Sequence, residues 1–402
     1  MAWRFWGAIL VVLAGPTAAQ PAWTPPDASE WQQFQRRYMA PEGRIVDTAN
    51  GGISHSEGQG YGMFFATHFG DRPAFERLWR WTRLNLSRPT DSLHAWRYTP
   101  HGAFGVQDTN NATDGDLYIA WALLRAAERW NEPEWHRSAA RIAHDVLACC
   151  VRRQRGHTLL LPGAHGFERP DGIVVNLSYY AFPVLRALSR IAPDPAWAEL
   201  ERDGLALMRT AAFGRWHLPP DWLLIPASGA APSPAAGWPP RFSWDALRVP
   251  LNLAWQRFDA PTTQAALQFW DYPGHAHRPP AWVELRSNSI APYPGHSGVQ
   301  AVHMFLRLRH GASAPQAPGV ARAPDYYAAA VGLQARIAYT MAPEPPAELP
   351  ATAAATPRRS WIGDVLHAAG SYFATEEHEH APPAGPSARP TMSGVRRTGA
   401  MP

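Results

Sequence analysis

A chain of 402 residues suits one large domain or two ordinary ones, and its 46% hydrophobic content is enough for a sizeable core. The formal charge is only +4, carried on Arg with no Lys and spread along the chain, which argues against a nucleic-acid binder. Charged residues are 17%, beside 31 Gly and 41 Pro, so much of the chain must be loop or tail, and the 19 Trp leave two readings open: a large aromatic core, or a cleft of flat apolar faces of the kind on which pyranose rings stack.

The chain begins with Arg4, an apolar run at 5–14 and small residues up to Ala19. That is the pattern of a secretory signal peptide at 1–19, and the run is too short to span a bilayer. No later stretch is long and apolar enough to span, so the reading is a periplasmic or secreted protein with no membrane span after cleavage. Helical spacing of apolar residues then predicts helices at 29–39, 58–69, 72–86, 117–130, 134–151, 178–191, 197–212, 246–257, 262–269, 298–309 and 326–340. A small hairpin is expected within 159–175, where Pro-Gly and Pro-Asp-Gly break the chain. Cys149 and Cys150 are adjacent and form no disulfide framework; they are expected to be buried and inert. The predicted organisation is one all-α domain over 20–342. From 343 to 402 the chain is rich in Ala, Pro, Ser and Arg and is expected to be disordered, apart from a short helical pattern at 361–373. An acidic and His patch at 376–380 reads as a solvated tract rather than a metal site.

Three acidic clusters stand at predicted helix starts. The first runs from Arg44 and Asp47 to Ser54-His-Ser-Glu57, followed by glycines at 58, 60 and 62 and by Tyr61. Ser54 and Glu57 have capping-box spacing. A box leaves the glycines and Tyr61 unexplained; the functional reading is a carboxyl at a cleft floor, with glycines that let substrate approach the backbone. The second is Thr113-Asp114-Gly-Asp116. Thr113 and Asp116 again have capping-box spacing, but one acid suffices for a cap. The third is Trp244-Asp245, with Arg248 one turn later, where an N-cap and an i,i+3 ion pair are the structural reading. If the three helices line a common axis, their N-termini converge on one cleft. Hydrolysis of a glycosidic bond needs two carboxyl groups in opposite protonation states. A helix N-terminus favours the ionised form and suits a base such as Asp245. An acid in the same kind of place must be kept protonated by burial or by neighbouring carboxylates.

The run 112–130, Ala-Thr-Asp-Gly-Asp-Leu-Tyr-Ile-Ala-Trp and onward, resembles the signature of glycoside hydrolase family 8 across its length. The segments Ser-His-Ser-Glu-Gly-Gln-Gly-Tyr-Gly-Met and Trp-Asp-Ala-Leu-Arg-Val-Pro are similar to that family's acid and base segments. The likeness covers about 31–339 and is nearest to the group encoded with bacterial cellulose synthase. It implies an (α/α)6 barrel, no metal or organic cofactor, and an inverting mechanism with carboxyls about 6.5–9.5 Å apart. It also implies Glu57 as general acid, Asp245 as general base and Asp114 as the carboxylate that holds the reacting sugar. Asp116 joins the substrate-binding set as a supporting or capping residue, and Arg248 would orient or pair with Asp245. Trp96, Tyr61 and Tyr180 match cleft-lining segments, although each is as well explained as core. Asn176 could bind a sugar hydroxyl or cap the helix that follows. The substrate implied is a β-1,4-glucan, cut during cellulose secretion beside the synthase machinery. Chitosan, xylan, or a glucan-binding accessory without catalysis are the alternatives.

Overall fold

The computed structural model describes residues 23–100, 105–275 and 278–346. The expected signal peptide, and the tail from 347 onward with its helical and acidic patches, lie outside the described residues. Eleven helices run through the described part: α1 Ala28–Tyr38, α2 Ser56–Phe69, α3 Arg72–Asn85, α4 Thr113–Trp130, α5 Pro133–Cys150, α6 Phe182–Ser189, α7 Pro195–Thr210, α8 Arg248–Trp255, α9 Pro261–Asp271, α10 Ser297–Arg309 and α11 Tyr326–Thr340. Most start and stop where the apolar spacing predicts. Two are shorter than expected. The 178–191 pattern splits into a 3-10 turn at Leu177–Tyr179 and α6, because Pro183 fits only the first turn of a helix. The 246–257 pattern begins only at Arg248, because the preceding residues are held in a turn by Asp221.

These helices form an (α/α)6 barrel. Helices α2, α4, α6 and α8 pack in succession, and α10 and α11 pair and both touch α8, while α1 joins α11 back to α2. Nearly every described side chain of α2, α4, α8 and α11 is buried, as an inner ring requires. The outer helices α1, α3, α5 and α7 bury one stripe each. Between α10 and α11 no outer helix forms. The connection contains Pro315, Pro318, Gly319 and Pro324, which break a helical run, and only a 3-10 turn at Val320–Arg322 packs on α1 and α11. Arg37 of α1 fixes it by donating to the Val320 and Ala323 carbonyls at 2.6 and 2.7 Å.

Much of the aromatic content is core. Trp121 stacks on Phe64 at 4.7 Å and meets Trp255 edge-on at 5.8 Å, joining α2, α4 and α8 at the barrel axis. Cys150 is also buried, and burial pushes its thiol up to about 11. β-structure is more extensive than one hairpin. Val151–Gln154 pairs with His157–Leu160, and a four-stranded antiparallel sheet runs in the order Glu168–Arg169, Gly172–Val175, Leu223–Pro226, Ser233–Pro234. The last two strands come from far downstream, so a local hairpin pattern does not reveal them. No helix among the described residues is long and apolar enough to cross a membrane.

Candidate active site

The N-terminal ends of α2 and α4 and the turn before α8 meet at one end of the barrel. At the start of α2 the Ser54–Glu57 capping box does not form. The Ser54 hydroxyl is taken by the Ile45 carbonyl and accepts from Arg44 Nη1 at 3.0 Å. His55 is the cap instead: its Nδ1 accepts from Gly58 N at 3.3 Å while Nε2 meets Asp47 Oδ2 at 3.1 Å. Glu57 is thereby free of a capping duty. The glycines next to it do not serve substrate approach. A Cβ on Gly60 would lie 2.8 Å from Tyr118 Cβ, and one on Gly115 would lie 2.7 Å from the backbone nitrogen of Glu57. They let α2 and α4 cross in close contact, and that crossing sets Glu57 beside Asp114.

The Thr113–Asp116 box is also absent. Ala112 is the N-cap without a side-chain bond, and Thr113 donates to the Leu161 carbonyl at 2.7 Å. The two acids divide their work by direction. Asp114 faces Arg248. Asp116 is fully buried and cannot join a substrate-binding set. Its Oδ1 meets both the backbone N and ring Nδ1 of His94 at 2.9 Å, and its Oδ2 accepts from Asn111 at 3.0 Å. Asp116 so fixes the segment that carries Trp96. Trp96 is partly exposed, its indole donates to Asp108 at 2.7 Å, and its carbonyl accepts from Ser56 N at 3.1 Å.

Arg248 ties the three clusters together. Its Nη1 donates to Glu57 Oε2 at 2.8 Å, Asp114 Oδ2 at 3.0 Å and the Tyr61 hydroxyl at 2.7 Å, and its Nη2 donates to Asp245 Oδ1 at 2.6 Å. The guanidinium is buried, while the Asp245 and Glu57 side chains keep 20% and 15% exposure, so both carboxyls remain open to a ligand. One cation faces three carboxyls. Burial pushes Asp114 up to about 7, Arg248 opposing and the Glu57 and Asp245 charges adding to the shift. Asp245 is raised too, first by burial, with Arg248 and the Asn176 amide holding it down. Three carboxyls and one guanidinium thus share one partly open point, which is the set of groups that paired acid and base work requires.

Of the two roles considered for Asn176 the structure shows the cap, its Oδ1 accepting from Ser178 N at 3.0 Å at the head of the turn Leu177–Tyr179; its amide also favours the Asp245 anion. Tyr180 is not in the cleft. It is fully buried, its hydroxyl accepts from Leu160 N at 2.9 Å, and its ring packs against Gly204. The 3-10 turn directs its neighbour Tyr179 to the site instead, where the Arg248 guanidinium lies 5.7 Å from the ring centre. An expected continuous helix would have hidden that exchange. Four further residues belong to the site or hold it, and were not assigned a role from the sequence. The Tyr326 hydroxyl donates to Glu57 Oε1 at 3.4 Å, and Tyr327 donates to the Trp244 carbonyl. Trp244 is 44% exposed beside Asp245 and stacks on His296 at 4.9 Å. Asp221 gathers the backbone of the Asp245 turn. Trp244 stood in the Trp244-Asp245 run, and the Tyr326-Tyr327 pair at a predicted helix start was a signal that could have been followed; Asp221 gave none. Among the described residues no group of three or more His, Cys, Asp or Glu side chains could hold a metal ion.

A family model described as glycosyl hydrolases family 8 matches residues 1–337. A probable endoglucanase from Novacetimonas hansenii is 44% identical over 312 residues, covering 77% of this chain and 90% of its own length. An endoglucanase from Cellulomonas uda is 40% identical over 277 residues, covering 68% and 75%. Among solved structures, an endo-β-1,4-glucanase from Acetobacter xylinum superposes with a TM-score of 0.73 at 42% identity, over 77% of this chain and 97% of that one. A reducing-end xylose-releasing exo-oligoxylanase matches with a TM-score of 0.61 over 78% of this chain and 90% of its own, at 20% identity, a likeness of fold alone.

Proposed function

The chain belongs to glycosyl hydrolase family 8 and is a glycoside hydrolase, and from that premise we propose that it is an inverting endo-β-1,4-glucanase with Glu57 as general acid and Asp245 as general base. The observation that carries this reading is the single Arg248 guanidinium that Glu57, Asp114 and Asp245 share. It brings carboxyls from three distant segments to one partly open point. Glu57 gives its proton to the glycosidic oxygen as the bond to the anomeric carbon breaks. Asp245 takes a proton from a water that attacks that carbon on the opposite face, so the new reducing end is an α-anomer. Asp114, the most buried of the three, holds the sugar at the reacting subsite through its hydroxyls. Arg248 offsets the charge of the base and fixes its orientation. General acid and general base catalysis each contribute about 10²–10⁴-fold. Trp96 and Trp244, partly exposed near the same site, offer faces for glucose rings.

The β-1,4-glucan specificity is supported by the two endoglucanases at 40% identity or more. Reducing-end release from carboxymethylcellulose, chitosan and xylan by the purified protein tests it: cleavage confined to chitosan or xylan would overturn the substrate, and binding to all without turnover would overturn catalysis. NMR of the first product tests inversion, with an initial β-anomer as the contrary result. The leader pattern at 1–19 supports export, and the likeness to the cellulose-synthase-associated group supports trimming of nascent cellulose in the periplasm, beside the secretion machinery. N-terminal sequencing of the protein from a periplasmic extract, expected to begin near Gln20, checks the first part. Cellulose yield from a strain that lacks the protein checks the second.

A further inference from the structure

Asp221 has no part in the mechanism above, yet it is buried and aimed at the residue that the mechanism depends on. Its Oδ1 accepts from three backbone amides of one turn: Ser243 N at 3.1 Å, Asp245 N at 3.2 Å and Ala246 N at 2.8 Å. Its Oδ2 takes the Ser243 hydroxyl. Four donors from residues 243–246 thus converge on one carboxyl. Asp221 is itself held, since its own amide donates to the Arg241 carbonyl at 2.7 Å at the head of strand Leu223–Pro226. From the other side, the Tyr327 hydroxyl holds the Trp244 carbonyl. The turn is therefore clamped by its amides on one face and by a carbonyl on the other.

We infer that Asp221 is a positioning residue for the reaction: it fixes the turn that presents the Asp245 carboxyl to the attacking water. This rests on the reading of Asp245 as the base. The physical case is one of tolerance. Asp245 lies in a turn before α8: its carbonyl accepts from Arg248 N at 3.0 Å, but its amide has no helical acceptor and is taken by Asp221 instead. An inverting base must leave room for one water between itself and the anomeric carbon, and a displacement of about 1 Å costs about 10²-fold in rate. Asp221 binds the Ser243, Asp245 and Ala246 amides of that turn and so supplies this constraint beside the Tyr327 hydroxyl on the Trp244 carbonyl. A purely structural aspartate would cap a helix end; here the capped amides include that of Asp245 itself. Burial pushes the Asp221 carboxyl up to about 7, with the Asp245 charge adding to it and the Ser243 hydroxyl and the backbone amides opposing.

The test compares the full chain with Asp221→Ala, Asp221→Asn and Asp245→Asn, on cellohexaose, with kcat, KM and the melting temperature measured for each. Asp221→Ala removes every acceptor and is expected to lower kcat about 10²-fold with KM within about two-fold. Asp221→Asn keeps an oxygen in the Oδ1 place for the three amides and is expected to recover at least about ten-fold of that loss. If Asp221→Ala does not fold, Ser243→Ala, which deletes one donor from the clamp, is expected to lower kcat about three-fold at unchanged KM. A kcat of Asp221→Ala equal to that of the parent well below its melting temperature would overturn the inference. So would a loss that appears only in KM, an Asn variant no better than Ala, or an unchanged kcat in Ser243→Ala. Full activity in Asp245→Asn would instead remove the base assignment, and is distinguishable because the turn would remain while no base is left for Asp221 to position.

Discussion

Arg248 donates to Asp245, three residues before it, at 2.6 Å, and the same buried guanidinium also holds Glu57 and Asp114. Its loss would leave three carboxyls without a counter-charge. Arg248→Lys keeps a cation but cannot hold partners on two nitrogens in a plane, so kcat on carboxymethylcellulose is expected to fall about 10²-fold. In Arg248→Ala the Asp245 carboxyl rises further, because the largest influence that lowers it is gone. A base works only when ionised, so the acidic limb of the pH–rate profile should move to higher pH. A limb that stays in place, or a Lys variant within about three-fold of the parent, would contradict the role given to Arg248.

Asp114 carries a cost in stability for its place in the site. Its carboxyl is raised from the unfolded value of 3.8 to about 7. The folded protein therefore binds more protons between those values, and stability contributed by the protonated form is present below 3.8 and lost as pH rises through 7. Asp114→Asn cannot ionise and leaves Arg248 with Glu57 and Asp245. At pH 8 it is expected to melt about 2 °C higher than the parent, an advantage that shrinks towards pH 4, while its kcat falls steeply. Calorimetry at the two pH values decides: a lower melting temperature at pH 8 would show that Asp114 stabilises the fold.

The helices were legible in the sequence because their signal is local: apolar residues recur at helical spacing and the breaks sit at Pro and Gly. The acidic clusters were legible for the same reason, each being a short contiguous run. What failed was the assignment of partners. Ser54 and Thr113 have the spacing of capping residues, but each donates to a carbonyl from another segment, Ile45 and Leu161. A tertiary acceptor outbids the local one and the spacing does not record it. Tyr179 and Tyr180 are adjacent and alike in sequence; a 3-10 turn before Pro183 decides which enters the site. Asp221 had no signal, because its donors lie far along the chain in a turn with no period of its own.

That exchange makes a clean contrast. Tyr180→Phe leaves the Leu160 amide buried without its acceptor. The cost is about 1–3 kcal/mol, or a melting temperature lower by about 4 °C, with kcat within about two-fold of the parent. A ten-fold loss of kcat in Tyr180→Phe with an unchanged melting temperature would return Tyr180 to the cleft.

Two half-buried histidines should make the fold acid-sensitive. Burial and the charges of Arg125 and Arg129 lower His68 to about 4, and burial lowers His296 to about 4. His296 Nδ1 accepts from Gly298 N at 3.0 Å at the start of α10, a bond that a protonated ring cannot accept. Both unfolded rings titrate near 6.5. The unfolded chain thus binds more protons between about 4 and 6.5, so stability from the neutral rings is complete above 6.5 and lost as pH falls towards 4. The melting temperature of the parent should fall relative to that of His68→Phe as pH drops through that window. Parallel curves would show that His68 does not contribute.

Gly115 tests how the helix crossing creates the site. A Cβ there would meet the Glu57 backbone nitrogen at 2.7 Å, closer than real Cβ contacts, and the obstacle is backbone that cannot swing aside. Gly115→Ala costs nothing in helix propensity. Any loss must therefore come from pushing α2 and α4 apart, which shifts Glu57 relative to Asp114 and Arg248. The variant is expected to fold with a melting temperature lowered by a few degrees, at about 1–3 kcal/mol for an overpacked contact. Its kcat should fall about 10²-fold, because the acid moves by a fraction of an ångström to an ångström from its place. Gly62→Ala makes a useful partner: its Cβ would press on the side chains of Ile45 and Leu78 rather than on backbone, so its effect should fall on stability and spare kcat. If the two variants lose activity equally, the crossing at Gly115 has no special hold on the acid.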